Sequence, residues 1–186
     1  MIDWNPAAYG ADVARLLALD SGGNRLLPLT AGACSDENAR REIASRSAVE
    51  WFPEARSRDG ALAGLYLYFS CADEAHEIAQ SIDTPDGSYW HAIVHRQEPD
   101  AANSRYWFGR TGKHPVFTSL LAQAREIAVA HDGHSWTPSK AWNPGAFIDL
   151  CEAAARQPGS KLERLALEIQ RAEWRLLFDH CARSAE

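Results

Sequence analysis

Apolar positions along this chain recur mostly at three- and four-residue spacing, a period that predicts helices rather than strands. Asn5-Pro6 places a capping side chain before a proline suited to a first helical turn. Val13, Leu16 and Leu17 then predict a helix that runs to about Asp20. Ser21-Gly22-Gly23-Asn24 ends it, and residues 25–33, with Pro28, read as a surface connection. Ser35 is expected to cap a second helix, with Asp36 and Glu37 at its positive end. Residues 61–70 form an apolar run suited to a buried helix, on which Leu62, Leu65, Tyr66 and Phe69 share a stripe. Residues 73–81 continue as another helix, or the same one bent, until Thr84-Pro85-Asp86-Gly87 forces a turn.

Two short helices, 88–97 and 103–110, are predicted on either side of Glu98-Pro99-Asp100, because a residue before proline is pushed out of helical geometry. Thr118 is expected to cap a helix carrying Leu121, Ala124, Ile127 and Ala128 that stops before Asp132-Gly133. Asn143-Pro144 repeats the opening signature of the N-terminus. A last helix, 160–182, carries Leu162, Leu165, Ile169, Leu176 and Phe178 among charged residues. The expected fold is all-α: one domain over residues 1–186, a bundle of roughly seven to eight helices with a long amphipathic C-terminal helix. Residues 1–33 are expected to form a looser N-terminal helix and connection.

Composition supports this class. Alanine (32) and leucine (17) far outnumber isoleucine (8) and valine (5), a bias toward side chains that lose little freedom in a helix. The net charge of −6 argues against nucleic acid or an anionic membrane as partner, since both require clustered Lys and Arg. No stretch approaches the apolar length of a membrane span, and Met1-Ile2-Asp3-Trp4 lacks a basic region followed by an apolar run, so the cytoplasm is the expected compartment. Cys34, Cys71, Cys151 and Cys181 show no CxxC pair or small-domain spacing, and are expected to be buried free thiols. Oligomeric state is left open.

One segment stands apart. Residues 89–117 hold three of the seven histidines, two tryptophans and four basic residues. Residues 88–115 carry a formal +2 and leave the remainder at −8, so a locally positive aromatic patch sits on an acidic protein. On a helical wheel His91, His95 and Glu98 fall within roughly 60° of one another. Imidazoles at i and i+4 can share a divalent metal such as Zn or Fe, a carboxylate one turn later can contribute, and His76 or His114 can supply a third imidazole. The candidate metal set is therefore His76, His91, His95, Glu98 and His114. Because Ala92 rather than Glu follows His91, the metalloprotease spacing is absent.

A second candidate is a pocket for a small anionic molecule, in which Arg96, Arg105 and Arg110, with Asn103, Tyr106 and Trp107, grip a carboxylate or phosphate against aromatic faces. Against both stands a non-catalytic interaction or structural protein whose histidines and aromatics are packed core. Asp73-Glu74-Ala75-His76 spells a helicase box, but no P-loop accompanies it. His131-Asp132, with Asp149 or Asp179, is similar to the metal arrangement of HD-type phosphohydrolases on two letters only.

The string GSYWHAIVHRQEPDAANSRYWFGRTGKHPV, preceded by DEAHEIAQSI and followed by WNPGAFIDLCE and EIQRAEWRLLFDHC, resembles a family of uncharacterised helical proteins of bacteria and fungi, over roughly residues 65–181. Cys71, Ala72 and Gly109 depart from its pattern. The resemblance implies a helical fold and carries no catalytic residues across. The reading is a helical protein binding a metal or small anion at a His/Arg/aromatic site, with metal-dependent catalysis as one form of it.

Overall fold

A computed structural model describes residues 4–131 and 136–184. Among these every regular element is helical: α1 (Ala11–Ala18), α2 (Glu37–Ala44), α3 (Ala48–Trp51), α4 (Arg58–Tyr68), α5 (Ala72–Ser81), α6 (Pro85–Gln97), α7 (Ala101–Thr111), α8 (Val116–Ala130), α9 (Pro144–Ala155) and α10 (Lys161–Ala182). Ten α-helices thus replace the expected seven to eight. The expected first helix is split: Pro6–Tyr9 is a 3-10 turn, and Gly10, at φ 103°, bends the chain before α1. The short α3 was missed, although Ser47 and Glu50 form a reciprocal capping box at its start.

Most other boundaries follow their caps. Asn143 accepts from Ala146 N to start α9, and Ser160 accepts from Glu163 N to start α10. Asp36, rather than Ser35, caps α2, because its carboxylate reaches two free amides, those of Asn38 and Ala39. Ser35 is drawn away, its amide and hydroxyl both donating to Phe69 O. Helix α8 starts two residues before the expected cap Thr118, and its expected stop, Asp132-Gly133, lies outside the described residues. The segment read as a turn, 84–87, instead opens α6: Thr84 accepts from Gly87 N and Pro85 occupies the first helical position. Gly87 permits this tight α5–α6 corner, because a Cβ there would lie 2.3 Å from Ile82 O.

Helix α10 packs on α4, α8 and α9, and one buried cluster runs from Tyr9 to Cys181. Val13, Leu16, Leu17, Leu27 and Leu29 belong to it, so the N-terminal segment contributes apolar side chains to the same core. Trp174 donates to Gly64 O at 2.8 Å, and Gly64 lets Trp90 approach to within 2.7 Å of where a Cβ would sit. Cys34 and Cys71 are disulfide-bonded, while Cys151 and Cys181 are free and buried. This corrects the expectation of four free thiols. The pairing arises where the Ser35–Phe69 hydrogen bonds lay the 34–36 strand of chain along the α4–α5 junction, a contact that spacing does not encode. No helix of the described residues is long and apolar enough to cross a membrane.

Helix α6 is buried on nearly every side, and polar groups fix its rotation. Arg96 pairs with Glu173 at 2.5 Å, with both side chains essentially sealed from solvent, and also donates to Gln170 at 3.2 Å. Tyr89 donates to the same Glu173 at 3.1 Å. Burial opposes the Arg96 charge, but Glu173 outweighs it and keeps the guanidinium protonated. On the other side Ser104 of α7 donates to Ala92 O at 2.8 Å. With α10 and α7 holding it, α6 turns His91 and His95 toward α5.

Candidate metal centre

His91 and His95, one turn apart on α6, meet His76 of α5 across the helix pair. His91 Nε2 lies 2.7 Å from His76 Nε2 and 3.1 Å from His95 Nε2, and coordinating nitrogens of all three rings lie within 4.8 Å of one another. A ring nitrogen offers a single in-plane position, either a proton or a lone pair. His91 Nε2 therefore cannot form good hydrogen bonds to both neighbours. A cation between the rings would remove this conflict by accepting a lone pair from each. Metal–nitrogen distances of 2.0–2.1 Å in tetrahedral geometry separate ligand nitrogens by about 3.4 Å, so His76 and His91 would have to part by about 0.7 Å and His91 and His95 by about 0.3 Å.

His91 and His95 are buried, at 4% and 8% exposure, whereas the His76 side chain keeps 30%. The cluster thus has a dry floor and an open rim. Burial, reinforced by the facing His76 and His95 rings, lowers the His91 pKa to about 4, which leaves this imidazole neutral at pH 7 with its lone pair free. Trp107 of α7 stacks on the His91 ring at 4.0 Å between centroids and limits its rotation.

Glu98, expected among the metal ligands, stands behind the rings. Its Oε1 is 3.4 Å from His76 Nδ1 and its Oε2 is 3.0 Å from His95 Nδ1, on the edges away from the converging Nε2 atoms. A carboxylate there sets its negative charge beside the Nδ1 edges, where the histidines would carry protons once Nε2 is coordinated. The His95 contact is short but off the line of a hydrogen bond. The Nδ1 atoms of His91 and His95 are both buried without a hydrogen-bonding partner among the described residues.

His114, the other proposed ligand, does not join this cluster. It sits with Asp86 of the first turn of α6 and His180 of the last turn of α10. Asp86 Oδ1 is 2.9 Å from His114 Nε2 and 3.3 Å from His180 Nε2. Val116 N donates to His114 Nδ1 at 3.3 Å, which assigns the His114 proton to Nε2 and makes Asp86 its acceptor. Burial pushes the Asp86 carboxyl up, but the two histidines outweigh it and hold the group well below the ordinary carboxylate range. Sequence reasoning missed this trio, because Asp86 read as a turn residue and His180 lies almost a hundred positions away.

The six residues expected to grip an anion do not form one pocket. Arg96 is spent on Glu173 inside the core. Asn103 binds Asp100 at its helix start, and Tyr106 is 57% exposed. Trp107 stacks on His91, and the Arg110 guanidinium lies 5.3 Å over Trp107 and 3.5 Å from Asp83. Arg105 points the opposite way and pairs with Asp149 of α9. The cause is helical rotation: at 100° per residue, positions 103, 107 and 110 share a face and position 105 lies across from it. The described residues of the HD-type arrangement have other partners. His131 faces Glu168 at 3.2 Å, Asp149 pairs with Arg105, and Asp179 accepts from Tyr9 at 2.6 Å; Asp132 lies outside the described residues. Comparison of the chain with protein families, curated proteins and solved structures finds no match.

Proposed function

We propose that this protein holds one divalent transition metal through Nε2 of His76, His91 and His95, and uses it as an open, Lewis-acidic centre. The observation that carries the reading is the convergence of three imidazole nitrogens, one of which, His91 Nε2, faces both others and cannot satisfy both by hydrogen bonding. Three protein ligands with a free position are the pattern of reactive rather than purely structural zinc sites. The exposed rim at His76 and Glu98 is where solvent or a substrate oxygen would reach the ion. All-nitrogen ligation suits Zn, and is compatible with Fe, Ni or Cu. A metal at this position polarises a bound carbonyl or phosphoryl oxygen, or activates water, so hydrolysis or hydration of a small polar substrate is the reaction class proposed. Glu98 orients His76 and His95 as a positioning residue.

The alternative, a histidine core with no ligand, would pair each buried ring nitrogen with a protein group. His91 Nε2, with one in-plane position between two imidazole nitrogens, cannot be so paired with both, which weighs against it. Titration of chelator-treated protein with Co2+ tests the proposal. Intense visible d–d absorption saturating at one equivalent, and absent in His95→Ala, is expected. A weak octahedral spectrum, or one unaltered in His95→Ala, overturns the assignment.

A further inference from the structure

Away from the histidine cluster, a groove of about 850 Å3 lies among α7, α8 and the start of α9. Its floor is aromatic: Phe108, Phe117 and Trp142 line it. Among the described residues its charges are all of one sign, since Arg105, Lys113 and Lys140 line it and no carboxylate does. Arg105 is paired with Asp149, whereas neither lysine has an acidic partner among the described residues. The Trp142 indole N–H is screened from solvent and has no hydrogen-bond acceptor among the described residues. A volume in the range of small-molecule sites, an apolar lining and a few convergent donors are the features of a ligand pocket rather than of a solvated surface.

We propose that this groove binds an amphiphilic organic anion: an aromatic or branched apolar body against Phe108, Phe117 and Trp142, with a carboxylate or phosphate head toward Lys113 and Lys140. Charge selects the head, because anions gain from two unpaired ammonium groups while cations are repelled. The apolar floor selects the body, since a bare inorganic anion leaves it wet. Gly109 provides a handle on the space. It lines the groove from within α7, and a Cβ at this position would meet nothing within 4 Å, so a larger side chain can be added at the groove's edge without striking the fold. The site requires no metal, and its test is independent of the histidine cluster.

The experiment is calorimetric titration of chelator-treated protein with 2-naphthoate and with the uncharged 2-naphthylmethanol, alongside NMR of the tryptophan indole N–H signals. Wild type should bind naphthoate saturably at one equivalent, more tightly than the alcohol, with the largest shift at the Trp142 indole. The variant carrying Lys113→Ala and Lys140→Ala should lose roughly tenfold in naphthoate affinity and change little toward the alcohol. Gly109→Leu should abolish binding of both while leaving the circular dichroism spectrum intact. If Gly109→Leu misfolds, the lysine variant decides the matter. No saturable naphthoate binding, equal affinity for acid and alcohol in wild type, or unchanged binding in both the lysine variant and a folded Gly109→Leu protein overturns the proposal.

Discussion

Replacing Glu173 with alanine removes the carboxylate that holds Arg96 of α6 against α10. Both partners are sealed from solvent, and among the described residues the guanidinium pairs with no other charged group; Gln170 and the Phe147 ring, 4.6 Å away, remain as neutral partners, and Nε and Nη1 already lack hydrogen bonds. The variant therefore strands a cation inside the core, and also deprives the Tyr89 hydroxyl of its acceptor. Breaking a buried pair by deleting one member typically costs about 3–5 kcal/mol. For a chain of 186 residues, a melting temperature moves roughly 2–4 °C per kcal/mol, so Glu173→Ala should melt about 6–20 °C below wild type. Replacing both partners by apolar residues, Arg96→Met with Glu173→Leu, should recover most of the loss, because no unpaired charge remains. Scanning calorimetry or urea unfolding reads both variants. A loss below about 1 kcal/mol for Glu173→Ala, or a double replacement worse than the single, would refute the argument that this pair fixes α6.

Glu98→Gln keeps the side-chain shape and removes the negative charge beside His76 and His95 Nδ1, so Zn2+ affinity measured by chelator competition should fall roughly 10- to 100-fold. In metal-free protein the His91 imidazole should titrate at about 4, against 6.5 for an ordinary histidine, when followed by NMR. Because its folded pKa is depressed, the unfolded chain binds the extra proton between these values; the stability from burying it neutral is complete above pH 6.5 and lost as pH falls through about 4. A titration near 6.5 would contradict the buried, three-ring environment. The Cys151 thiol, pushed up to about 12 by burial, should resist iodoacetamide in folded protein at pH 8. Denatured, unreduced protein should take up two alkyl groups and reduced protein four, as mass spectrometry reads directly.

The helical class, the caps at Asn143 and Ser160 and the break at Glu98-Pro99-Asp100 are written in local sequence, where a side chain and its target amide lie within three positions. So is the His91–His95 pairing, fixed by the helical period. The third member was named from the sequence, but nothing local distinguishes His76 from His114; the α5–α6 corner at Gly87 decides it by folding α5 back along α6. Glu98 fell on the right face of the wheel, yet it follows the last residue of α6 and curls behind the rings instead of toward their shared edge. The residues read as an anion site are spread apart for a reason the sequence contains, since Arg105 lies across α7 from Asn103, Trp107 and Arg110. The pairing of Arg96 with Glu173, the disulfide and the Asp86–His114–His180 trio join residues far apart in the chain, and helix packing alone brings them together.

Elemental analysis of protein purified without affinity tag or chelator tests the central claim most directly. About one equivalent of Zn, or of another transition metal, should accompany the wild type and be lost from His76→Ala, His91→Ala and His95→Ala while circular dichroism stays helical. His114→Ala, whose ring belongs to the other cluster, should retain it. Folded wild type without metal even after incubation with Zn2+, or metal that persists in all three histidine variants, would contradict the account.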